Sequence, residues 1–206
     1  MTPDTGRVFI LSPASCRGRR AAQLLSPRAT GALASQLRSS RGAPLGDVFT
    51  FFSSLYFRGK LTYARHFAAS HDIHVITPTS GLQNPDTHVT QAAILEFARG
   101  DIDLSNAGYR DPLERSASAL LQAIGPARDV VLLGSIASPK YVGILTGIFG
   151  ERLRFPIAFV GRGDMSRGGL LLRKASEGVE LDYAAVAGAV THGPRPPRLP
   201  RKSKSR

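Results

Sequence analysis

Thiols are almost absent from this chain: Cys16 is the single cysteine among 206 residues. An internal disulfide framework is therefore excluded, as are metal sites built on several thiolates, and a reducing, cytoplasmic setting is the expectation. Long apolar runs are missing too. Nothing approaches the roughly 18 residues of a membrane span, and Val8 to Leu11 is far too short for the apolar centre of a secretory leader. The expectation is a soluble protein with no membrane partner. The five histidines (His66, His71, His74, His88 and His192) show no HExxH or HxH spacing beside a carboxylate. Neither a GxGxxG loop nor a Walker A loop occurs, so no metal and no nucleotide cofactor is expected.

Acidic residues are scarce, 15 against 27 Lys and Arg, for a net charge of +12. Six of the basic residues lie in 191–206, which holds no acidic residue. The other 21 still outnumber every carboxylate in the chain. A basic body with a basic tail points to a polyanion, held by phosphate attraction and counterion release. From Gly193 onward, proline and basic residues dominate. The sequence thus divides into one domain, 1–190, and a disordered basic tail, 191–206.

Within the domain, short apolar runs alternate with helical patterns. Strands are expected near Arg7 to Leu11, Ile73 to Ile76, Asp129 to Ser135, Ile157 to Val160 and Leu181 to Val186. Helices are expected from about Arg19, over Ala29 to Leu37, Lys60 to Ala69, Asp111 to Ile124 (with Pro112 in the first turn), Lys140 to Phe149 and Gly169 to Glu177. Glu96 to Asn106 gives no clear period, and the aromatic stretch Val48 to Phe57 leads into the third of these helices. Strand–helix alternation predicts an α/β fold: three layers, α/β/α, around a mostly parallel central sheet. Ligands of such sheets bind outside the carboxyl ends of the strands.

Four strand-end loops are rich in Gly, Ser, Thr and charge. The first, Ser12 to Gly18, offers Ser12, Ser15, Cys16 and Arg17 to a ligand. Cys16 reads either as a nucleophile or as a small packing residue. The second contains Ser80, Gly81 and Asp86. Asp86 closes an Asx-turn or a helix cap in one reading, and orients water in the other. The third, Gly134 to Tyr141, contributes Ser135, Ser138 and Tyr141. The fourth, Gly161-Arg162-Gly163-Asp164-Met165-Ser166-Arg167-Gly168-Gly169, packs four glycines, two arginines and an aspartate into nine residues. That is a poor recipe for a core and a good one for close backbone approach with forked cationic donors.

Three segments in order resemble a known pattern: Ile10 to Arg20, Ser54 to Phe67 (with Tyr56, Phe57, Arg58 and Lys60) and Val75 to Asp86. They are similar to small bacterial and phage domains of the peroxide-stress protein family, and to the uracil-DNA-glycosylase-like domains attached to some tRNA-guanine transglycosylases. That broad set includes phage-defence DNA glycosylases that remove modified bases. The likeness covers roughly residues 7 to 90. The Gly-Gln-Asp-Pro-Tyr and His-Pro-Ser loops of typical uracil-DNA glycosylases are absent, and Gly134 to Pro139 is a loose substitute for the latter.

The resemblance implies a uracil-DNA-glycosylase-like fold and hydrolysis of an N-glycosidic bond, with DNA the favoured partner and no cofactor. A base leaving its sugar exposes oxocarbenium-like charge, which a carboxylate stabilises while it orients water. Asp164 is the first candidate for that role and Asp86 the second. Arg162 and Arg167 would hold phosphates. Tyr56, Phe57 or Tyr141 would stack on the base. Arg58, Lys60, Gly161, Gly163 and Ser166 complete the expected substrate contacts. Two other readings stay open: a non-catalytic nucleic-acid-binding or DNA-protection protein, and an enzyme acting on a free nucleotide or nucleoside. The oligomeric state is left open.

Overall fold

A computed structural model describes residues 6–197 and 199. The strands, in chain order, are β1 (Val8–Leu11), β2 (Ala43–Pro44), β3 (Ile73–Thr77), β4 (Gly81–Gln83), β5 (His88–Val89), β6 (Val130–Leu133), β7 (Leu153–Pro156) and β8 (Tyr183–Ala185). Six of them form one sheet in the order β4-β3-β1-β6-β7-β8, while β2 and β5 make a small ribbon apart from it. The four inner strands are parallel, and β4 and β8 run antiparallel at the two edges. The α-helices are α1 (Arg19–Leu25), α2 (Ala32–Arg38), α3 (Leu45–Ser53), α4 (Leu55–Phe67), α5 (Gln91–Arg99), α6 (Ala107–Ala123), α7 (Val142–Phe149) and α8 (Asp164–Glu177).

The period-2 geometry of a strand splits its side chains between two cores. Phe9 and Leu11 of β1, Ile73 and Val75 of β3, and Val131 and Leu133 of β6 pack with α1 to α5 and α8. Val8, Ile10, Ile76, Val130 and Leu132 face the other way, onto α6 and α7. Burial on both faces explains why these strands read as continuous apolar runs. The chain thus leaves β1 toward one helical layer and leaves β6 toward the opposite one. Their diverging loops open a crevice at the carboxyl edge, the switch point where doubly wound sheets bind ligands.

Several sequence expectations shift on contact with packing. The fourth strand is Leu153–Pro156, and Ile157–Phe159 is a short 3-10 turn instead. Arg154 interrupts the apolar pattern and lies 3.5 Å from Asp129, so the strand alternates rather than forming an unbroken run. Pro112 sits in the second turn of α6, because the Asn106 side chain caps the helix earlier by accepting from Gly108 N. The aromatic stretch folds as α3 and the start of α4, and Phe49 meets Phe57 and Phe97 edge-on at 5.4 and 6.4 Å. Ser54 joins the two helices at φ 49°, a region that favours glycine. The ambiguous stretch is the end of α5 and the loop after it.

α4 and α8 cross at glycines. A Cβ on Gly59 would lie 2.6 Å from the Gly168 carbonyl oxygen, and one on Gly168 would lie 2.6 Å from that of Leu55. Only bare backbone permits this approach, and it sets Asp164 and Arg167 over Tyr56 and Lys60. After β8 the described chain is irregular rather than helical or extended. It still docks on the body: Gly193 lies against Val160, Pro194 O sits over Gly161, and Leu199 touches Gly169. The expected tail residues 198 and 200–206 lie outside the described residues.

Candidate functional site

A cavity of about 470 Å³ opens at the switch point, within the range of small-molecule sites (roughly 300–1,000 Å³). Its floor is the loop after β1, Ser12 to Arg17. One wall is Ser138, Lys140 and Tyr141 from the loop after β6. The opposite wall is Pro78 with Phe97, Gly100, Asp101 and Ile102 at the end of α5, and Asp164 stands at the lip. Of the residues expected to bind or react, Ser12, Ser15, Cys16, Arg17, Ser138, Tyr141 and Asp164 meet here.

The loop after β1 is held in place at both ends. Ser12 N extends the ladder by donating to Leu133 O at 3.2 Å. Arg17 donates to three carbonyls at the end of α5, Ala98, Arg99 and Gly100, at 2.6, 3.2 and 2.9 Å. Those are the unpaired acceptors of a helix C-terminus, where a cation is favoured. Arg17 therefore fastens one wall to the floor rather than waiting for a phosphate. Cys16 is buried, its Sγ donating to Ala14 O at 3.8 Å. Burial pushes its thiol up to about 12, only partly offset by Arg17. A thiol so protonated is no nucleophile near neutral pH, and the packing reading of Cys16 is the one the geometry supports.

Lys60, from α4, lies immediately behind the floor. It is 1% exposed, and its Nζ donates to Ser12 O at 2.6 Å and meets Ser12 Oγ at 2.9 Å. The rings of Tyr56 and Phe57 flank the ammonium at 4.4 and 5.0 Å. Burial lowers this lysine to about 7, with Asp164 opposing the shift and Arg167 adding to it. Neither Tyr56 nor Phe57 reaches the cavity; both are core residues that clasp the lysine. Of the three rings expected to stack, Tyr141 does line the cavity. Its hydroxyl accepts from Ser135 N at 3.1 Å and donates to Ser135 O at 3.2 Å, and burial raises its pKa. Ser135 does not line the cavity; its backbone holds the Tyr141 hydroxyl.

Asp164 occupies the first turn of α8, with its side chain 69% exposed and 3.4 Å from Arg167 Nη1. The arginines of this turn are already engaged. Arg167 donates to Phe159 O through Nε and Nη2, at 3.2 and 3.1 Å. Arg162 donates to Ala158 O, Ser166 Oγ and Pro197 O. Arg162 braces the start of the helix and the docked chain, and Arg167 braces the start of the helix, so both already donate to protein acceptors where phosphate contacts were expected. Gly161 takes φ 70°, and Gly163 precedes the helix without a side-chain cap; neither lines the cavity.

The second loop lies apart. Asp86 accepts from Arg65 at 2.5 Å and from Ser70 at 2.6 Å, bonds that hold its carboxyl below the usual range. It does not share the cavity with Asp164, and its two partners make it a turn brace. Ser80 lies in the β3–β4 hairpin turn, and Gly81 opens β4 at φ 63° against Pro112 O. Arg58 is exposed on a different groove, beside Asp47 and Arg65.

Sequence reasoning missed Phe97, Asp101 and Lys140 as wall residues. The signal for the first two was the helical spacing Ile94–Phe97 followed by Arg99-Gly100, which marks a helix end and puts Asp101 in the loop just beyond it. The wall charges balance: Arg17 and Lys140 face Asp101 and Asp164. Among the described residues no helix is long and apolar enough to cross a membrane, and no group of three or more His, Cys, Asp or Glu is placed to hold a metal ion. Comparison with protein families, curated proteins and solved structures finds no match for this chain.

Proposed function

We propose that the cavity hydrolyses an N-glycosidic bond, releasing a base, modified or not, from DNA. The observation that carries this reading is Asp164 on the lip of the switch-point cavity, with Asp101 in the wall. A base extruded from a strand would enter between Phe97 and Tyr141, leaving its sugar at the mouth. As the bond to the base lengthens, positive charge grows on the sugar beside Asp164. The carboxylate stabilises that charge and orients the attacking water. The net charge of +12 supplies non-specific attraction to the strand, and exposed Lys140 lines the opening. The order of motifs in residues 7 to 90 supports the same chemistry, and a role against phage DNA with modified bases fits it.

The test uses oligonucleotides carrying uracil, hypoxanthine or 5-hydroxymethylcytosine, with abasic sites revealed by alkaline cleavage. Asp164→Asn is expected to slow product formation by about 10²-fold or more, while Asp86→Asn leaves it unchanged. No abasic product from any substrate removes the reading. Unchanged turnover in Asp164→Asn removes that residue from the mechanism.

The balanced wall charge favours one second reading, hydrolysis of a free nucleoside. A chain ending at Leu199 lacks Arg201, Lys202, Lys204 and Arg206. A polymer substrate would then bind more weakly and with a shallower salt dependence, whereas a nucleoside would be turned over as before.

A further inference from the structure

We propose that Ser12 and Lys60 form a proton relay that protonates the departing base. This inference rests on reading the cavity as a glycosidic-bond-hydrolysing site. Ser12 lines the cavity, and its Oγ is 2.9 Å from the Nζ of Lys60, which has no route to solvent of its own. A methionine or leucine would fill the slot between Tyr56 and Phe57 without the cost of desolvating an amine. The ammonium instead spends two donors on one residue of the cavity floor, Ser12 O and Ser12 Oγ. The opposite strand end is cut back to make room. A Cβ on Gly134 would lie 2.9 Å from Ser12 Cβ and 3.0 Å from the Tyr141 hydroxyl.

The bond between the sugar and the base nitrogen breaks, and its electron pair goes to the base. The base takes the Ser12 hydroxyl proton, and the Lys60 ammonium returns a proton to Oγ and is left as a neutral amine. Water adds to the sugar carbon and gives its proton to Asp164. Exchange with solvent through the cavity then resets both groups. Ser12 is the catalytic residue of this pair, and Lys60 is a positioning and proton-storing residue behind it.

The charged and titratable groups facing Lys60 are Asp164 and Arg167 on α8 and Tyr56 on its own helix, with Tyr141 across Ser12. Burial against these groups brings Lys60 to about 7. Both protonation states are then accessible near neutrality, as a relay requires.

The experiment measures kcat for base release from the oligonucleotides above, from about pH 5.5 to 9, in wild type, Ser12→Ala and Ser12→Thr. It repeats the series on p-nitrophenyl 2-deoxyriboside, whose leaving group departs as a stable anion and needs no proton. Wild type is expected to lose about tenfold per pH unit above about 7 on the base substrate. Ser12→Ala should fall about 10²-fold at pH 6 and lose that alkaline limb. Ser12→Thr, which keeps a hydroxyl, should recover part of the rate and the limb. On the nitrophenyl substrate the Ser12→Ala loss should be at least about tenfold smaller. Equal losses on both substrates would mean that Ser12 only shapes the floor, which overturns the relay. So would a Ser12→Ala enzyme that keeps the wild-type rate and pH profile. If wild type releases no base at all, the glycosidic reading itself has failed and the relay falls with it.

Discussion

The glycine crossing between α4 and α8 makes a prediction opposite to the usual effect of Gly→Ala in a helix. Elsewhere the substitution removes backbone freedom from the unfolded chain and stabilises by about 0.5–1 kcal/mol. Gly147, exposed in α7 with nothing within 4 Å of a built Cβ, should behave that way. At Gly59 the new methyl would lie 2.6 Å from Gly168 O and 2.9 Å from Gly168 Cα. Both obstacles are backbone, so no rotamer change relieves them. The helices must separate by about 0.8 Å to restore a 3.4 Å contact. Overpacking of this kind costs about 1–3 kcal/mol, and the propensity gain offsets less than about 1 kcal/mol, so a net loss of about 1–2 kcal/mol is expected. In a chain of this size that lowers Tm by about 2–8 °C, at roughly 2–4 °C per kcal/mol. The same displacement carries Asp164 away from the cavity lip, and a shift of about 1 Å in a positioning element costs up to about 10²-fold in rate. Urea melts with a common m-value read the stability, and base release reads the site. A Gly59→Ala protein as stable as wild type, alongside a stabilised Gly147→Ala, would refute the close crossing.

Ser54, at φ 49° and ψ −116°, occupies a conformation that glycine adopts without strain. Ser54→Gly should raise stability by about 1 kcal/mol, seen as a higher urea midpoint; a lower midpoint would show that the α3–α4 junction is unstrained. Stability should also rise with pH between about 7 and 9. Folded Lys60 gives up its proton near about 7, whereas in the unfolded chain it holds it to 10.5. The unfolded state therefore binds more protons across this window, and alkali favours the fold. The rise levels off above 9.0, where Cys16 ionises in the unfolded chain but not in the folded one, a term of opposite sign that offsets that of Lys60. The Lys60 contribution approaches about 1.4 kcal/mol per pH unit at most, and Lys60→Met should flatten it. Identical pH slopes in the two proteins would show that the buried amine stays charged throughout.

Elements whose physics is local could be read from the residues in order. The β1, β3 and β6 runs announced themselves because strands buried on both faces need unbroken apolar character. The four polar loops followed from the glycine, serine and charge that end those runs. β7 escaped because Arg154 breaks its pattern, and the start of α6 escaped because Asn106 caps the helix ahead of Pro112. Sorting the loops was a matter of long-range geometry. Whether a loop faces the cavity depends on the side to which the next helix departs, and only the assembled sheet fixes that.

So Asp164 and Asp86, both carboxylates in polar loops, part company in three dimensions: one stands at the cavity lip and the other is tied to Arg65 and Ser70. The charge of the chain was plain from composition alone. How that charge is used was decided by packing: Arg17, Arg162 and Arg167 spend their donors on carbonyls that folding leaves exposed, and Lys60 is buried behind Ser12. A side chain's type is written in the sequence. Its unsatisfied neighbours exist only once distant segments meet, and those neighbours determine whether a cation braces the fold or faces a ligand.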